Sequence, residues 1–173
     1  MYKTFFAGFA FLLAAALLFV ACGAAGPGVN LALNKHAVAS SFEKATNHNG
    51  GEDLVPGRVC DGNTFTKWGS DFRNSADPNT AWIYVDLGVK KQLHSVHIYW
   101  EAAFAKRFSI EVSDDAIAWK EIAGEGMTPP EFRENDGLSE VVFDQPVEAR
   151  YVKINGKERG SKWGYAIYEL EVY

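Results

Sequence analysis

Arg107-Phe108-Ser109-Ile110-Glu111-Val112-Ser113 decides the fold class of this chain. Phe108, Ile110 and Val112 fall on one side of an extended backbone, and Arg107, Ser109 and Glu111 on the other. That period of two belongs to a β-strand with one apolar face. The same pattern recurs outward from it. Trp82 to Leu87 ends at Gly88, and Leu93 to Trp100 puts Val96, Ile98 and Trp100 opposite His97 and Tyr99. Trp119 to Ala123, Leu138 to Phe143, Ala149 to Asn155 and Tyr165 to Tyr173 are further short runs, separated by Gly, Pro, Asn and Asp. No helical stripe follows Cys22. The expectation is an all-β antiparallel sandwich or jelly roll. Trp68 and Trp100, on or beside strands, belong to its core.

The ends of the chain have a different logic. Lys3 precedes an uncharged apolar run from Phe5 to Val20, and Ala21-Cys22-Gly23 follows. This is the pattern of a secretory signal; the run is a little short for a membrane span and lacks a basic stop. Phe19-Val20-Ala21-Cys22 is similar to a bacterial lipobox, with Phe where Leu is usual. The organisation expected is a signal of the lipoprotein type at 1–21, a tether at 22–28 and one domain at 29–173. Cys22 is the expected lipidation site, and the expected location is the cell envelope, at the outer membrane or cell surface; a protein that is not lipidated there would be secreted. With Cys22 acylated, Cys60 is the one remaining thiol and reads as a small buried apolar residue.

The net charge is −5 over 173 residues, and loss of Lys3 makes the mature chain more negative still. Phosphate-backbone binding needs a basic face, so nucleic acid is not an expected partner. The membrane is met only through the lipid anchor, and the protein is read as a monomer. No nucleophile elbow, His-Glu-x-x-His or Gly-rich phosphate loop occurs, so an enzyme is not expected. His94 and His97, three apart on a strand, point to opposite faces and cannot share a metal.

Asp61-Gly62-Asn63-Thr64-Phe65-Thr66-Lys67-Trp68 packs oxygen donors around a glycine. Such a run suits a hard cation such as calcium. It equally suits an ordinary turn, since Asp, Gly and Asn each favour one for their own backbone reasons. Four polar or long connections, Phe42–Arg58, Gly69–Ala81, Glu101–Lys106 and Asn155–Gly164, are where a β scaffold would carry a binding site.

Taken in order, Asn30-Leu31-Ala32-Leu33-Asn34-Lys35, Cys60-Asp61-Gly62-Asn63 with Trp68, Trp82 to Gly88, Trp100 to Lys106, Ser113-Asp114-Asp115 with Trp119, Ala149 to Ile154 and Gly164 to Tyr173 resemble the coagulation factor 5/8 type C, or discoidin, domain. The bacterial branch, carbohydrate-binding module family thirty-two, is most similar. The resemblance spans Val29 to Tyr173 and implies an eight-stranded antiparallel β-sandwich, a distorted jelly roll of the galactose-binding type. The family commonly has Arg at the position of Lys67 and Ala at that of Cys60.

The resemblance further implies one structural calcium ion. Its ligands would be Asp61, Thr66 and Glu169, with Asn63 and Arg58 contributing backbone carbonyls. Glu169 falls out of phase with Ala166, Tyr168, Leu170 and Val172 and faces away from that row. It also implies a glycan partner. A pyranose needs an aromatic face for its C–H side and planar polar groups for its hydroxyls. Candidates in the long loops are His48, Asp71, Arg73, Glu101, Phe104, Lys106, Arg159 and Trp163; Glu101 and Arg159 are equally placed to pair with one another. The function implied is a non-catalytic carbohydrate-binding lipoprotein that holds glycans at the cell surface. The alternative is an adhesion or protein-interaction module without sugar binding. Phospholipid insertion is disfavoured, because the Asn47-His48-Asn49-Gly50-Gly51-Glu52 tip is too polar.

Overall fold

The computed structural model describes residues 28–124, 131–133 and 136–173, with the side chains of 131–136 left aside. The leader 1–21, Cys22 and all but the last residue of the tether lie outside the described residues. Along the chain come β1 (His36–Ala39), a 3-10 turn at Pro56–Cys60, β2 (Trp68–Gly69), β3 (Trp82–Trp100), β4 (Ala105–Ser113), β5 (Lys120–Ala123), β6 (Glu131–Arg133), β7 (Asp136–Arg159) and β8 (Ala166–Val172). Every pairing among them is antiparallel.

Two expected pairs of strands turn out to be single long ones. Trp82–Leu87 and Leu93–Trp100 run together as β3, and the runs at 138–143 and 149–155 are both parts of β7. The reason is the bend between them. Gly88 sits at φ 87°, a left-handed conformation that a side chain would resist, and the β3–β7 register slips between Asp86 and Lys91. Each long strand thereby serves two layers. One layer runs β1, residues 82–86 of β3, residues 151–155 of β7, β4, β5. The other runs β6, residues 137–142 of β7, residues 95–100 of β3, β8, β2. This is the antiparallel sandwich the alternation predicts.

The core lies between the layers. Ile83, Val85 and Leu87 come from one half of β3, and Val96, Ile98 and Trp100 from the other. Phe108, Ile110 and Val112 of β4 meet them, with Trp100 and Phe108 edge to face at 5.3 Å. Trp68 and Trp100 are each 1% exposed, as expected of core residues. Full burial of a side chain such as Ile98 contributes about 2 kcal/mol.

Three local expectations change. The polar side of β4 meets solvent only at Arg107: Ser109, Glu111 and Ser113 are all buried. Glu111 is ion-paired there to Lys153 and accepts a 2.7 Å bond from Asn155, while Lys153 lies 4.0 Å from the Trp119 ring centre. Burial pushes the Glu111 carboxyl up, but the Lys153 and Asn155 bonds outweigh it and hold the group below the usual range. On β8, Ala166 and Tyr168 do not share a row with Leu170 and Val172. The register slips between Tyr99 and Trp100, so Ile167 takes the core position instead. Finally, the connection read as Asn155–Gly164 is strand as far as Arg159, because β4 pairs with it to that point.

Candidate functional site

The four connections converge at one end of the sandwich. They enclose a cleft of ≈ 290 Å³ lined by Glu43, His48, Asn49 and Leu54 from the first, Ser70, Phe72 and Arg73 from the second, Glu101 to Ala103 from the third and Trp163 to Ala166 from the last, with Lys67 beneath. Backbone bonds tie the loops together. Glu43 N–H donates to the Gly69 carbonyl (2.8 Å), Gly69 N–H to Leu54 (3.2 Å), Ser70 N–H to Tyr165 (2.8 Å) and Ala166 N–H to Ala103 (2.8 Å). Tyr165 N–H donates to Ser70 Oγ at 2.9 Å. Gly164 is required here, since a Cβ would fall 2.4 Å from Ser70 Oγ.

Trp163 stands at the rim with 42% of its surface exposed. The Phe72 ring meets it edge to face, centroids 5.7 Å apart, and the Arg73 guanidinium covers Phe72 at 4.7 Å. Two ion pairs complete the lining. Arg73 pairs with Glu43. Lys67 Nζ lies 3.0 Å from Glu101 Oε1, and Glu101 Oε2 accepts the Ala103 N–H at 2.8 Å. The cleft therefore offers an aromatic surface beside fixed carboxylates and cations, a set able to bridge neighbouring hydroxyls.

Of the eight residues predicted for ligand contact, His48, Arg73, Glu101 and Trp163 line this cleft. Arg159 does not, and it does not pair with Glu101. Its Nη1 donates to the carbonyls of Lys162 and Trp163, 3.1 Å each, so it props the Trp163 turn. Lys106 joins Arg107 on Glu158, each at 2.8 Å. Phe104 packs against the core and over Gly160, where a Cβ would meet its ring at 2.3 Å. Asp71 accepts from Asn74 Nδ2 at 2.7 Å and faces a separate hollow. Glu43, Phe72 and Lys67 are lining residues the candidate set lacks. Phe72, between Asp71 and Arg73, is the one whose loop position signalled it.

The Asp61 run folds as a turn with internal bonds. Asp61 Oδ1 accepts from Asn63 N–H (2.9 Å), and Thr66 Oγ1 donates to Asp61 Oδ2 (2.7 Å) and lies 2.9 Å from the Asn63 carbonyl. Arg58's guanidinium is engaged with Glu52 at 2.9 Å, leaving its carbonyl as the group that could serve a cation. Glu169 does face this turn, but from the interior: it is 2% exposed. Its Oε1 accepts the Gly62 N–H at 3.1 Å, while its Oε2 is buried with no hydrogen-bond partner. Burial pushes this carboxyl up to about 7, with Asp61 and Glu171 adding to the rise against the Gly62 bond. Among the described residues no three His, Cys, Asp or Glu side chains cluster for a metal. A cation here would need the two carboxylates plus carbonyl and hydroxyl oxygens, a donor set that fits calcium. Cys60 beside it is 1% exposed, and burial raises its thiol to about 11, which keeps it protonated.

A two-layer antiparallel sandwich with a cleft built by the loops at one end defines a β-sandwich binding domain. The chain belongs to the F5/8 type C domain family, whose model matches residues 36–170. Two modules of a chitosanase/glucanase from Paenibacillus sp. IK-5 share the structure. Chitosan-binding module 1 is 34% identical with a TM-score of 0.66, covering 83% of this chain and 98% of the module. Chitosan-binding module 2, solved with chitotriose, is 31% identical with a TM-score of 0.66, covering 83% and 99%. The family 32 carbohydrate-binding module of C. perfringens NanJ, solved with galactose, has the same fold at 23% identity, a TM-score of 0.62 and coverage of 80% and 93%. No curated protein matches the chain.

Proposed function

We propose that this protein is a non-catalytic carbohydrate-binding lipoprotein that holds glycans at the bacterial cell surface. One observation carries the reading: an exposed Trp163 set beside the Glu43–Arg73 and Lys67–Glu101 pairs in the cleft where the four loops meet. The likeness to modules that bind chitosan and chitotriose supports it. The indole takes the C–H side of a sugar ring, and the paired groups take its hydroxyls or amine. Lys67 holds Glu101 through a point charge rather than an Arg fork, so the pair can open to admit a ligand group more readily. A shallow site of this kind binds weakly, and a ~1 mM dissociation constant corresponds to only about −4 kcal/mol.

The test is retention on immobilised polysaccharides and a glycan array, covering amino and neutral sugars. Retention lost in Trp163→Ala, with melting unchanged, supports the reading. No glycan signal at millimolar concentration favours a protein-interaction module instead.

A structural calcium ion belongs to the same proposal. Arg58, Asp61, Asn63, Thr66 and Glu169 would hold it, and the otherwise unpartnered Glu169 Oε2 is the observation in favour. Calcium supplies charge neutralisation there and no chemistry. Cys22 is the proposed acylation site; Cys22→Ser is expected to move the protein from the membrane pellet to the soluble fraction.

A further inference from the structure

We propose a second sugar subsite beside the cleft, so that the protein reads an internal stretch of a polysaccharide chain rather than a single terminal unit. This rests on the carbohydrate reading above. The segment Ser70–Ser75 forms a wall with two working sides. Ser70, Phe72 and Arg73 face the cleft. Asp71, Asn74 and Ser75 face a second open hollow of ≈ 230 Å³, closed on its far side by Ser40, Ser41 and Thr80. One loop thus separates two depressions, each of a size suited to one or two sugar units.

The chemistry of the second hollow is that of a hydroxyl-binding surface. It presents one carboxylate, one amide and four hydroxyls, with an apolar floor at Ala81. Its polar groups are fixed by local bonds. Asp71 N–H donates to Ser41 Oγ (3.1 Å), Asn74 Nδ2 to Asp71 Oδ2 (2.7 Å), and Thr80 Oγ1 to the Asp77 carbonyl (2.9 Å). An oxygen-lined hollow of mixed donors and acceptors matches the hydroxyls, amide or amine of a sugar better than an apolar peptide side chain.

An aromatic pair follows next along the chain. Trp82 comes directly after Ala81, and its backbone N–H donates to Ser40 Oγ at 3.0 Å. Its neighbour Ile83 is buried in the core, so Trp82 and Tyr84 stand on the outer side of β3. Their rings lie parallel within 10°, centroids 5.7 Å apart. The polar hollow of Asp71 and Asn74 thus adjoins the Phe72 side of the cleft across one loop, and the backbone of Trp82 borders it on the β3 side. An extended chain of pyranoses lying across the Ser70–Ser75 wall would meet the cleft and then the hollow.

The experiment is calorimetric titration of the full chain with β-1,4-linked glucosamine and N-acetylglucosamine oligomers, from monomer to hexamer. Affinity is expected to rise about tenfold or more between dimer and tetramer. Ser75→Tyr, which fills the hollow, and the double variant Asn74→Ala, Thr80→Val, which strips its polar groups, are expected to reduce tetramer affinity to the dimer's level. Dimer affinity and melting temperature should stay at the wild-type values. Wild-type affinity that is flat from dimer to hexamer, or full length dependence in both variants, overturns the second subsite while leaving the first cleft intact. No binding of any oligomer overturns both.

Discussion

Trp163 and Arg159 divide the work of one turn. Trp163 lines the cleft with the Lys162 ammonium 4.8 Å from its ring centre, and Arg159 holds the carbonyls of Lys162 and Trp163 in place. Arg159→Ala is therefore expected to weaken glycan binding about tenfold without any direct contact being lost, measured by the same titration; Arg159→Lys should recover only part, because one ammonium cannot hold the two carbonyls and also keep the Nε contact to Asn79 Oδ1. Gly164→Ala is expected to lower both affinity and stability, the latter by about 1–3 kcal/mol as for other overpacked sites. On the opposite flank, Lys153 neutralises the buried Glu111. Lys153→Met should cost about 3 kcal/mol in denaturant unfolding at neutral pH. The sign with pH follows from Glu111. In the wild type its depressed carboxyl contributes stability above its unfolded value, and that contribution is lost as pH falls through the folded value. Without Lys153, burial is opposed only by the Asn155 and Ser109 bonds and by the more distant Lys157, which moves the group toward its protonated form. The deficit of the variant should then shrink, not grow, on acidification below about pH 4.5.

At the scale of elements, β8 joins what would otherwise be separate features. Its first residue and the preceding Tyr165 line the cleft, and its Glu169 faces the Asp61 turn from inside. A cation between Asp61 and Glu169 would fasten the turn to the strand that supports the cleft, without touching a ligand. An ion at a hundredfold excess over its dissociation constant stabilises by about 2.7 kcal/mol. For a domain of this size that is roughly 5–10 °C in melting temperature. EDTA is accordingly expected to lower the melting temperature of the wild type by that amount and to leave Glu169→Gln unmoved. A wild-type curve indifferent to chelator, with no calcium in the purified protein, would remove the ion from the account.

At the scale of the whole molecule, the two ends of β8 point to different tasks. Val172 is tied to the start of the domain: its carbonyl accepts the Leu31 N–H at 2.7 Å, and its N–H donates to Asn30 Oδ1 at 3.1 Å. The cleft lies at the other end, at Ala166. The strand is seven residues long from one to the other, and its six steps span about 20 Å at 3.3 Å per residue. A chain attached through its N-terminal side would thus hold the cleft away from the membrane. Protein coupled to vesicles through that side should bind glycan as the free protein does. Protein coupled through Asn49→Cys, at the cleft rim, should lose most of its binding.

Much of this was legible in the sequence because it depends on short-range periodicity. The alternation through Phe108, Ile110 and Val112 set the strand, the layer-facing side and the core position of Trp100, and the polar connections marked where a site would form. Those are consequences of backbone geometry acting within a few residues. The fate of each polar side chain was not local in that sense. Glu111 and Glu169 look like surface carboxylates in the sequence, and both are buried. The partner of one stands on the neighbouring strand, and the other turns inward after a register slip. Arg159 reads as a ligand contact and serves as a prop. Ser70 meets Tyr165 across 95 positions of chain, and no pattern within either loop announces the meeting. The sequence by itself determined the sandwich, the family motifs and the loops that carry function. Only the tertiary structure decided which loops share a cleft and which charges are already spoken for, because convergence and burial depend on pairings between segments far apart in the chain.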